Sequence, residues 1–236
     1  MSILAIIPAA GSGTRMGGGT PKQFLSLEGV PVFVHTLRKF DAARAIDDIV
    51  LAVRDEDAEW VRQALAPERF SKPVRLTGGG GARQDTVARA LAAVAALPEI
   101  VVVHDAVRPF VTVEMIERAV ETARRDGAAI FAIPSVDTLK QVERDVILGT
   151  VPRERIALAQ TPQAFRYSLL REAFDRALAD GFQGTDESSL VERLGFQVTV
   201  LRGSDRNIKI TKPSDLPVAR LFIALEHESR GSASAE

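Results

Sequence analysis

The stretch Ile3-Leu4-Ala5-Ile6-Ile7-Pro8-Ala9-Ala10-Gly11-Ser12-Gly13-Thr14-Arg15-Met16 carries the reading of the fold. Its apolar run, Ile3 to Ile7, is too short for a buried helix and stops at a proline and a glycine loop, the pattern of a buried parallel strand. Working outward, the same kind of run returns at Ile49 to Val53, Ile100 to Val103 and Ala129 to Ile133. Between these runs the apolar period lengthens to about 3.6. Trp60, Val61, Ala64 and Leu65 share a face; so do Val87, Ala90, Leu91 and Val94, and so do Met115, Ile116, Ala119, Val120 and Ala123. The third of these segments has Thr112 as a cap, Glu114 in its first turn, Arg124 and Arg125 in its last and Gly127 just beyond, which suits both the helix dipole and end-capping. Strand and helix in alternation predict an α/β fold, a doubly wound and mostly parallel sheet with right-handed crossovers.

Composition narrows the function. The chain has 236 residues, of which 46% are hydrophobic and 26% charged, a soluble globular balance. With no cysteine, disulfide scaffolds, thiolate catalysis and cysteine-ligated metal centres are excluded. Thirty basic against 31 acidic residues leave a net charge of −1, so no global field draws nucleic acid or an anionic membrane. No uncharged run nears the roughly 18 residues of a membrane span, and the start MSILAIIPAAG lacks the basic residues of a signal peptide. A soluble, cytoplasmic protein is expected. We read residues 1–227 as one domain and 228–236, a small polar stretch, as a disordered tail. Within the domain, residues 136–152 break the rhythm: extended pieces at Thr138–Val142 and Val146–Val151 flank a polar turn, predicting a hairpin arm that leaves the main sheet. Such a hairpin is marginal alone, and a second copy of the chain is the simple partner for it.

Nine of the 17 glycines fall in two clusters, five between Gly11 and Gly19 and four from Gly78 to Gly81. Glycine gathered at the carboxyl ends of strands is expected where a ligand approaches backbone. The first loop is neither a dinucleotide fingerprint, since Met16 stands where the third glycine belongs, nor a Walker loop, since Gly19 stands where lysine belongs. It has instead two nearby cations, Arg15 and Lys22, which beside backbone donors suit the charge of a triphosphate during phosphoryl or nucleotidyl transfer; the bland alternative is a solvated loop. The second cluster, Gly78-Gly79-Gly80-Gly81-Ala82-Arg83-Gln84-Asp85-Thr86, precedes a helix and lets backbone meet a flat base, with Thr86 either bonding the base or capping the helix. Asp105, after the strand Val101-Val102-Val103-His104, suits Mg²⁺ shared with substrate phosphates or a loop cap paired with Arg108. His104 reads as a packed strand-end histidine, and His35 and His227 are given no role. Thr161-Pro162-Gln163 ends the hairpin region, Gly184-Thr185-Asp186-Glu187-Ser188 opens a helix, and Asn207-Ile208-Lys209-Ile210-Thr211 ends a strand. Lys209 between two isoleucines is either an edge-strand lysine or one whose ammonium emerges at a site.

In this order the strings PAAGSGTRM, PKQF, GGGGARQDTV, VHDAVRPF, VDTLK, TPQAF, TDES and NIKIT resemble the 2-C-methyl-D-erythritol 4-phosphate cytidylyltransferases of non-mevalonate isoprenoid biosynthesis, over about residues 3 to 225. The resemblance implies a Rossmann-like nucleotidyltransferase fold and a reaction in which the phosphate of methylerythritol attacks the α-phosphate of CTP, Mg²⁺ assisting, to give 4-diphosphocytidyl-2-C-methyl-D-erythritol and pyrophosphate. It implies that Arg15 and Lys22 stabilise the transition state, that Gly11, Ser12 and Gly13 hold the triphosphate, and that Pro8, Ala9 and Ala10 also bind CTP. Gly79, Gly80, Gly81 and Thr86 would read cytosine, with Asp105 near the metal and ribose and Ala106 also binding CTP. Arg153 and Lys209 would position the acceptor phosphate, with Arg108, Thr138, Thr161 and Thr185 around it. Members dimerise through interlocking arms, so Thr138 and Arg153 would serve the partner's site. Two positions depart from the pattern: Gly81, where relatives carry an acidic residue, and Thr86, where serine is familiar.

Two other readings compete. Ribitol-5-phosphate cytidylyltransferases share the fold and the nucleotide site, and Arg153, Thr138 and Lys209 favour the methylerythritol acceptor. A nucleotide-binding regulatory protein without catalysis could dispense with both Arg15 and Lys22, and this chain has both. A dehydrogenase is disfavoured by Met16 and by Arg54, which follows the second strand where an acidic residue would hold a ribose.

Overall fold

Alternation along the first strand, β1 (Ile3–Pro8), divides the interior. Ile3, Ala5 and Ile7 enter one apolar cluster and Leu4 and Ile6 the other, as a strand covered on both faces requires. The computed structural model of the chain describes residues 2–11, 21–94 and 96–233. Its elements continue with the short ladder β2 (Ser26–Leu27) and β3 (Val30–Pro31), then α1 (Val32–Ala42), β4 (Asp48–Val53), α2 (Ala58–Leu65), β5 (Val74–Gly78), α3 (Arg83–Ala92) and β6 (Ile100–Val103). After these come α4 (Val113–Asp126), β7 (Ala128–Pro134), the hairpin β8 (Leu139–Glu143) and β9 (Val146–Val151), β10 (Ala157–Arg166), α5 (Tyr167–Ala179), α6 (Glu187–Arg193), β11 (Thr199–Arg202) and α7 (Asp215–Ala233).

Seven strands form the main sheet in the order β11-β7-β10-β6-β1-β4-β5. All neighbours pair parallel except β10, which is antiparallel to both β6 and β7. The expected α/β sheet is therefore present, and the four apolar runs read from the sequence are β1, β4, β6 and β7. One layer of helices, including α1 and α4, covers the Ile3, Ala5 and Ile7 side; α3, α5 and α6 cover the other. Each fully buried aliphatic or aromatic side chain contributes roughly 1.5–3 kcal/mol; Phe33, Phe40, Phe131 and Phe165 are the largest of them. Thr112 caps α4 as expected, its hydroxyl accepting from Met115 N–H at 3.1 Å. Gly127 ends that helix at φ 94°, a conformation that favours glycine.

Three expectations are corrected. Residues 207–211 end no strand: they form a loop whose Ile210 packs with Val107, Phe110, Ala219 and Ile223 in a third apolar cluster. Thr161 to Gln163 does not close the hairpin region but lies within β10. The last helix continues to Ala233, past Glu228 where the polar tail was expected to start. The hairpin forms its own two-stranded sheet at the expected place, with Val142, Val146, Ile147 and Leu148 all more than half exposed. Among the described residues no helix is long and apolar enough to cross a membrane.

Candidate active site

The order of connections puts a crevice beside β1. The chain steps from β1 through α1, β4 and α2 to β5 on one side, then returns through α3 to β6 on the other. Ligands of open α/β sheets bind outside the carboxyl ends of the strands at such a reversal. There the structure holds a cavity of about 490 Å³. Pro8, Ala9, Ala10 and Gly11 form one wall, Gly80, Gly81 and Thr86 a second, and Asp105 and Ala106 the floor, with Lys22 and Lys209 on the rim. Ser12, Gly13 and Arg15 lie outside the described residues.

Side chains fix both loops from behind. Gln23, 2% exposed, donates to the Ala9 and Gly11 carbonyls at 2.7 and 2.9 Å, which holds the first loop to the turn of the PKQF segment. Gly79 donates to Val53 O at 2.6 Å, and a Cβ placed on it would overlap the Ala10 methyl, so the two loops touch here. A Cβ on Gly80 would overlap Asp85. Gly79 thus sits behind the cavity wall rather than on it. Among the described residues an added Cβ meets nothing within 4 Å at Gly11 and only Asp85 Oδ2 at 3.8 Å at Gly81, so no described neighbour demands glycine at either position. Thr86 does not cap the helix end: its hydroxyl accepts from Gly80 N–H at 3.0 Å and donates to Ala82 O at 2.9 Å. The single hydroxyl proton is spent on the loop, leaving no donor for a base.

The floor is a cluster of charge. Lys209 Nζ lies 2.9 Å from Asp105 Oδ2, Arg108 Nε 3.4 Å from the same oxygen, and Arg83 Nε 3.2 Å from Oδ1. Arg83 also spans both Glu187 oxygens through Nη1 at 2.8 Å. Burial pushes the Asp105 carboxyl up, but Arg83, Lys209 and Arg108 outweigh it and hold it far below the usual carboxylate range. Burial also opposes the Arg83 charge, and Glu187 and Asp105 reverse this, keeping the guanidinium ionised. Arg108 Nη1 donates to Asn207 O at 2.8 Å, and Ile210 N–H to Val107 O at 2.9 Å, so the 207–211 loop is clamped to the 105–108 turn and Lys209 is delivered to Asp105.

His104 is the packed strand-end histidine that was expected. It is fully buried against Phe40, and burial lowers its pKa to about 3. A neutral ring facing the Arg108 carbonyl at 3.1 Å must carry its proton on Nε2, so Nδ1 accepts from the Thr161 hydroxyl at 3.0 Å. Thr161 in turn accepts from Asp105 N–H at 3.1 Å. A second cavity of about 230 Å³ adjoins the first, sharing Arg83, Asp105 and Lys209 with it and adding Arg108, Thr161 and Thr185. Four expected acceptor-phosphate residues therefore meet, while Thr138 and Arg153 line neither cavity: Thr138 is exposed on the arm, and Arg153 Nη1 donates to Val136 O at the arm's base. Sequence reasoning missed Arg83, Glu187 and Gln23. Arg83 and Gln23 were visible only as members of the GGGGARQDTV and PKQF strings, and Glu187 only as a helix-opening residue.

Comparison with known proteins points to one family. The 2-C-methyl-D-erythritol 4-phosphate cytidylyltransferase family model matches residues 3–225. Enzymes of that name from Acidobacterium capsulatum and Solibacter usitatus are 51% and 49% identical to the chain, covering 94% and 96% of it and 98% and 97% of their own lengths. The crystal structure of 4-diphosphocytidyl-2C-methyl-D-erythritol synthase from Anaerococcus prevotii superposes with a TM-score of 0.83 at 31% identity, over 94% of this chain and 96% of that one. This chain therefore belongs to the 2-C-methyl-D-erythritol 4-phosphate cytidylyltransferase family, nucleotidyltransferases that carry the cytidylyl group from CTP to methylerythritol phosphate in non-mevalonate isoprenoid biosynthesis.

Proposed function

We propose that the larger cavity holds CTP, that the smaller holds the acceptor phosphate, and that cytidylyl transfer takes place across the residues they share. The observation that carries this reading is the convergence of Lys209, Arg108 and Arg83 on Asp105, at 2.9 to 3.4 Å, where the two cavities meet. Three cations against the carboxylates of Asp105 and Glu187 leave this cluster one net positive charge, before Lys22 is added. A phosphate monoester is already an anionic nucleophile, so the reaction needs no general base; it needs anions brought together and the charge of the transition state neutralised. His104 fits that economy, being neutral, buried and bonded through both nitrogens.

In this reading Lys22, with Arg15, neutralises charge developing on the triphosphate, and Gly11 and Gly81 are the places where substrate approaches backbone. Lys209 exchanges Asp105 for the acceptor phosphate, and Arg108 and Thr185 flank it. Thr161 acts on the site through Asp105 and His104 and not as a donor to phosphate. Asp105 lines both cavities, and one carboxylate suits Mg²⁺, which retains waters and takes its other ligands from substrate phosphates. Bound there, Mg²⁺ would neutralise part of the triphosphate charge. The exposed apolar side chains of the arm, and the absence of Thr138 and Arg153 from the described lining of either cavity, support a homodimer in which each arm serves the other protomer. The neutral charge balance and cysteine-free composition support a cytoplasmic enzyme without nucleic-acid or membrane partners.

The test is pyrophosphate release with CTP and Mg²⁺, with methylerythritol 4-phosphate and ribitol 5-phosphate offered separately, for the parent and for Lys22→Ala. Release with methylerythritol 4-phosphate alone is expected, with kcat lowered in the variant by about 10²-fold while CTP still binds. Parent-like turnover in Lys22→Ala would remove that residue from the transition state, and a preference for ribitol phosphate would overturn the acceptor assignment.

A further inference from the structure

Arg83 opens α3 and stands in the wall common to both cavities. Its Nε is spent on Asp105 at 3.2 Å and its Nη1 on both oxygens of Glu187 at 2.8 Å. Three anchored N–H groups fix the plane of a guanidinium. Among the described residues nothing accepts from Nη2, whose two donors are left at the wall. Glu187 is 1% exposed and has Arg83 as its one cationic partner among the described residues. Stability alone gives no reason for such a pair, because a buried ion pair is rarely worth more than apolar residues of the same volume.

We propose that Arg83 is a further catalytic residue, donating through Nη2 to the phosphoryl group in transit between the cavities, and that Glu187 is the positioning residue that holds its guanidinium plane. This rests on the assignment of the two cavities to CTP and acceptor phosphate. An acceptor-phosphate oxygen forms a bond to the α-phosphorus of CTP. The bond from that phosphorus to the oxygen bridging the β-phosphate breaks, and its electron pair leaves with pyrophosphate; no proton moves. Negative charge gathers on the α-phosphoryl oxygens as the two phosphates meet at the shared wall, so a fixed donor pair there binds the transition state more tightly than either substrate.

Arg83→Ala alone would leave Glu187 buried without a counter-charge, which by itself damages folding. Arg83→Met/Glu187→Gln removes both charges together and is the main test. Folded to the parent's circular dichroism, it is expected to bind CTP within about fivefold of the parent by calorimetry and to lose about 10²-fold in kcat. Glu187→Gln alone is expected to lose about tenfold in kcat at an unchanged KM for CTP, as an anchored donor becomes a loose one. Arg83→Lys keeps the charge but not the fork, and is expected to fold and to fall about as far as the double variant. Parent-like kcat in the double variant or in Arg83→Lys overturns the proposal, and so does a loss of CTP affinity as large as the loss of kcat, which would make Arg83 a ground-state binder. Lys209→Ala is the control: if it keeps parent turnover, the cavity assignment itself falls, and the role of Arg83 with it.

Discussion

His104 ties acid sensitivity to one atom pair, and the size of the effect follows from its surroundings. The ring is fully buried, bonded to Arg108 O and Thr161, and faced by Asp105, Arg108 and Arg83; burial dominates and sets its pKa at about 3 against 6.5 when unfolded. Between those two values the unfolded chain binds a proton that the fold refuses. Stability is therefore complete above pH 6.5 and falls as the pH drops through that value. Linkage puts the loss between pH 7 and pH 5 at about 2 kcal/mol for this one group. The perturbation is His104→Gln, which retains an amide to donate to Arg108 O but has no titration. The assay is urea unfolding at both pH values, followed by the fluorescence of Trp60, the chain's one tryptophan. All other titrating groups are common to the two proteins and cancel in the difference. The parent is expected to lose about 2 kcal/mol more than the variant on acidification; parallel losses would show that His104 takes up its proton in the folded state and would refute the reasoning.

The remaining predictions concern backbone and arm. Gly79→Ala is expected to lower stability by about 1–3 kcal/mol, read as a fall in thermal midpoint, since its methyl would overlap that of Ala10. Gly11→Ala is expected to leave stability within about 0.5 kcal/mol yet weaken CTP binding by calorimetry, because an added Cβ there meets no described protein atom within 4 Å; undiminished CTP affinity would move the substrate off that loop. Deleting Lys140–Leu148 is expected to convert a dimer into monomers by light scattering, and a variant that remains dimeric would free the arm from any role in assembly.

Much of the sheet was legible because interior parallel strands are apolar on both faces, and β1, β4, β6 and β7 read as uninterrupted runs. β10 did not, for a physical reason. Its Gln160, Thr161 and Gln163 are buried but satisfied: Gln160 bonds Ser204 and Asn207, and Gln163 bonds Asp186 and Ser188, so a buried strand carries a polar sequence. β5 and β11 lie at the two edges, half buried at best, and offer little periodicity. The loop 207–211 misled in the opposite sense: Ile210 is buried under α7, not in a ladder. At the site, the glycine loops and Asp105 were legible from their place after strands. The partnership of Arg83 with Glu187 was not, because 104 positions separate them and only the fold brings them together.

The antiparallel β10 also sets the order in which the molecule can be assembled. On a chain emerging from the ribosome, β1, β4, β5 and β6 can pair among themselves once Val103 is out. β7, made next, has only β10 and β11 as neighbours and no edge to join until residues 157–166 arrive. The arm is thus synthesised before β7 has a partner, and β10 is the seam between β6 on one side and β7 with β11 on the other. Asp105 follows β6 and Thr161 belongs to the seam. The hydrogen bond between them is closed only when β10 is in place, so a nascent chain is left without its finished charge cluster until the sheet itself is whole.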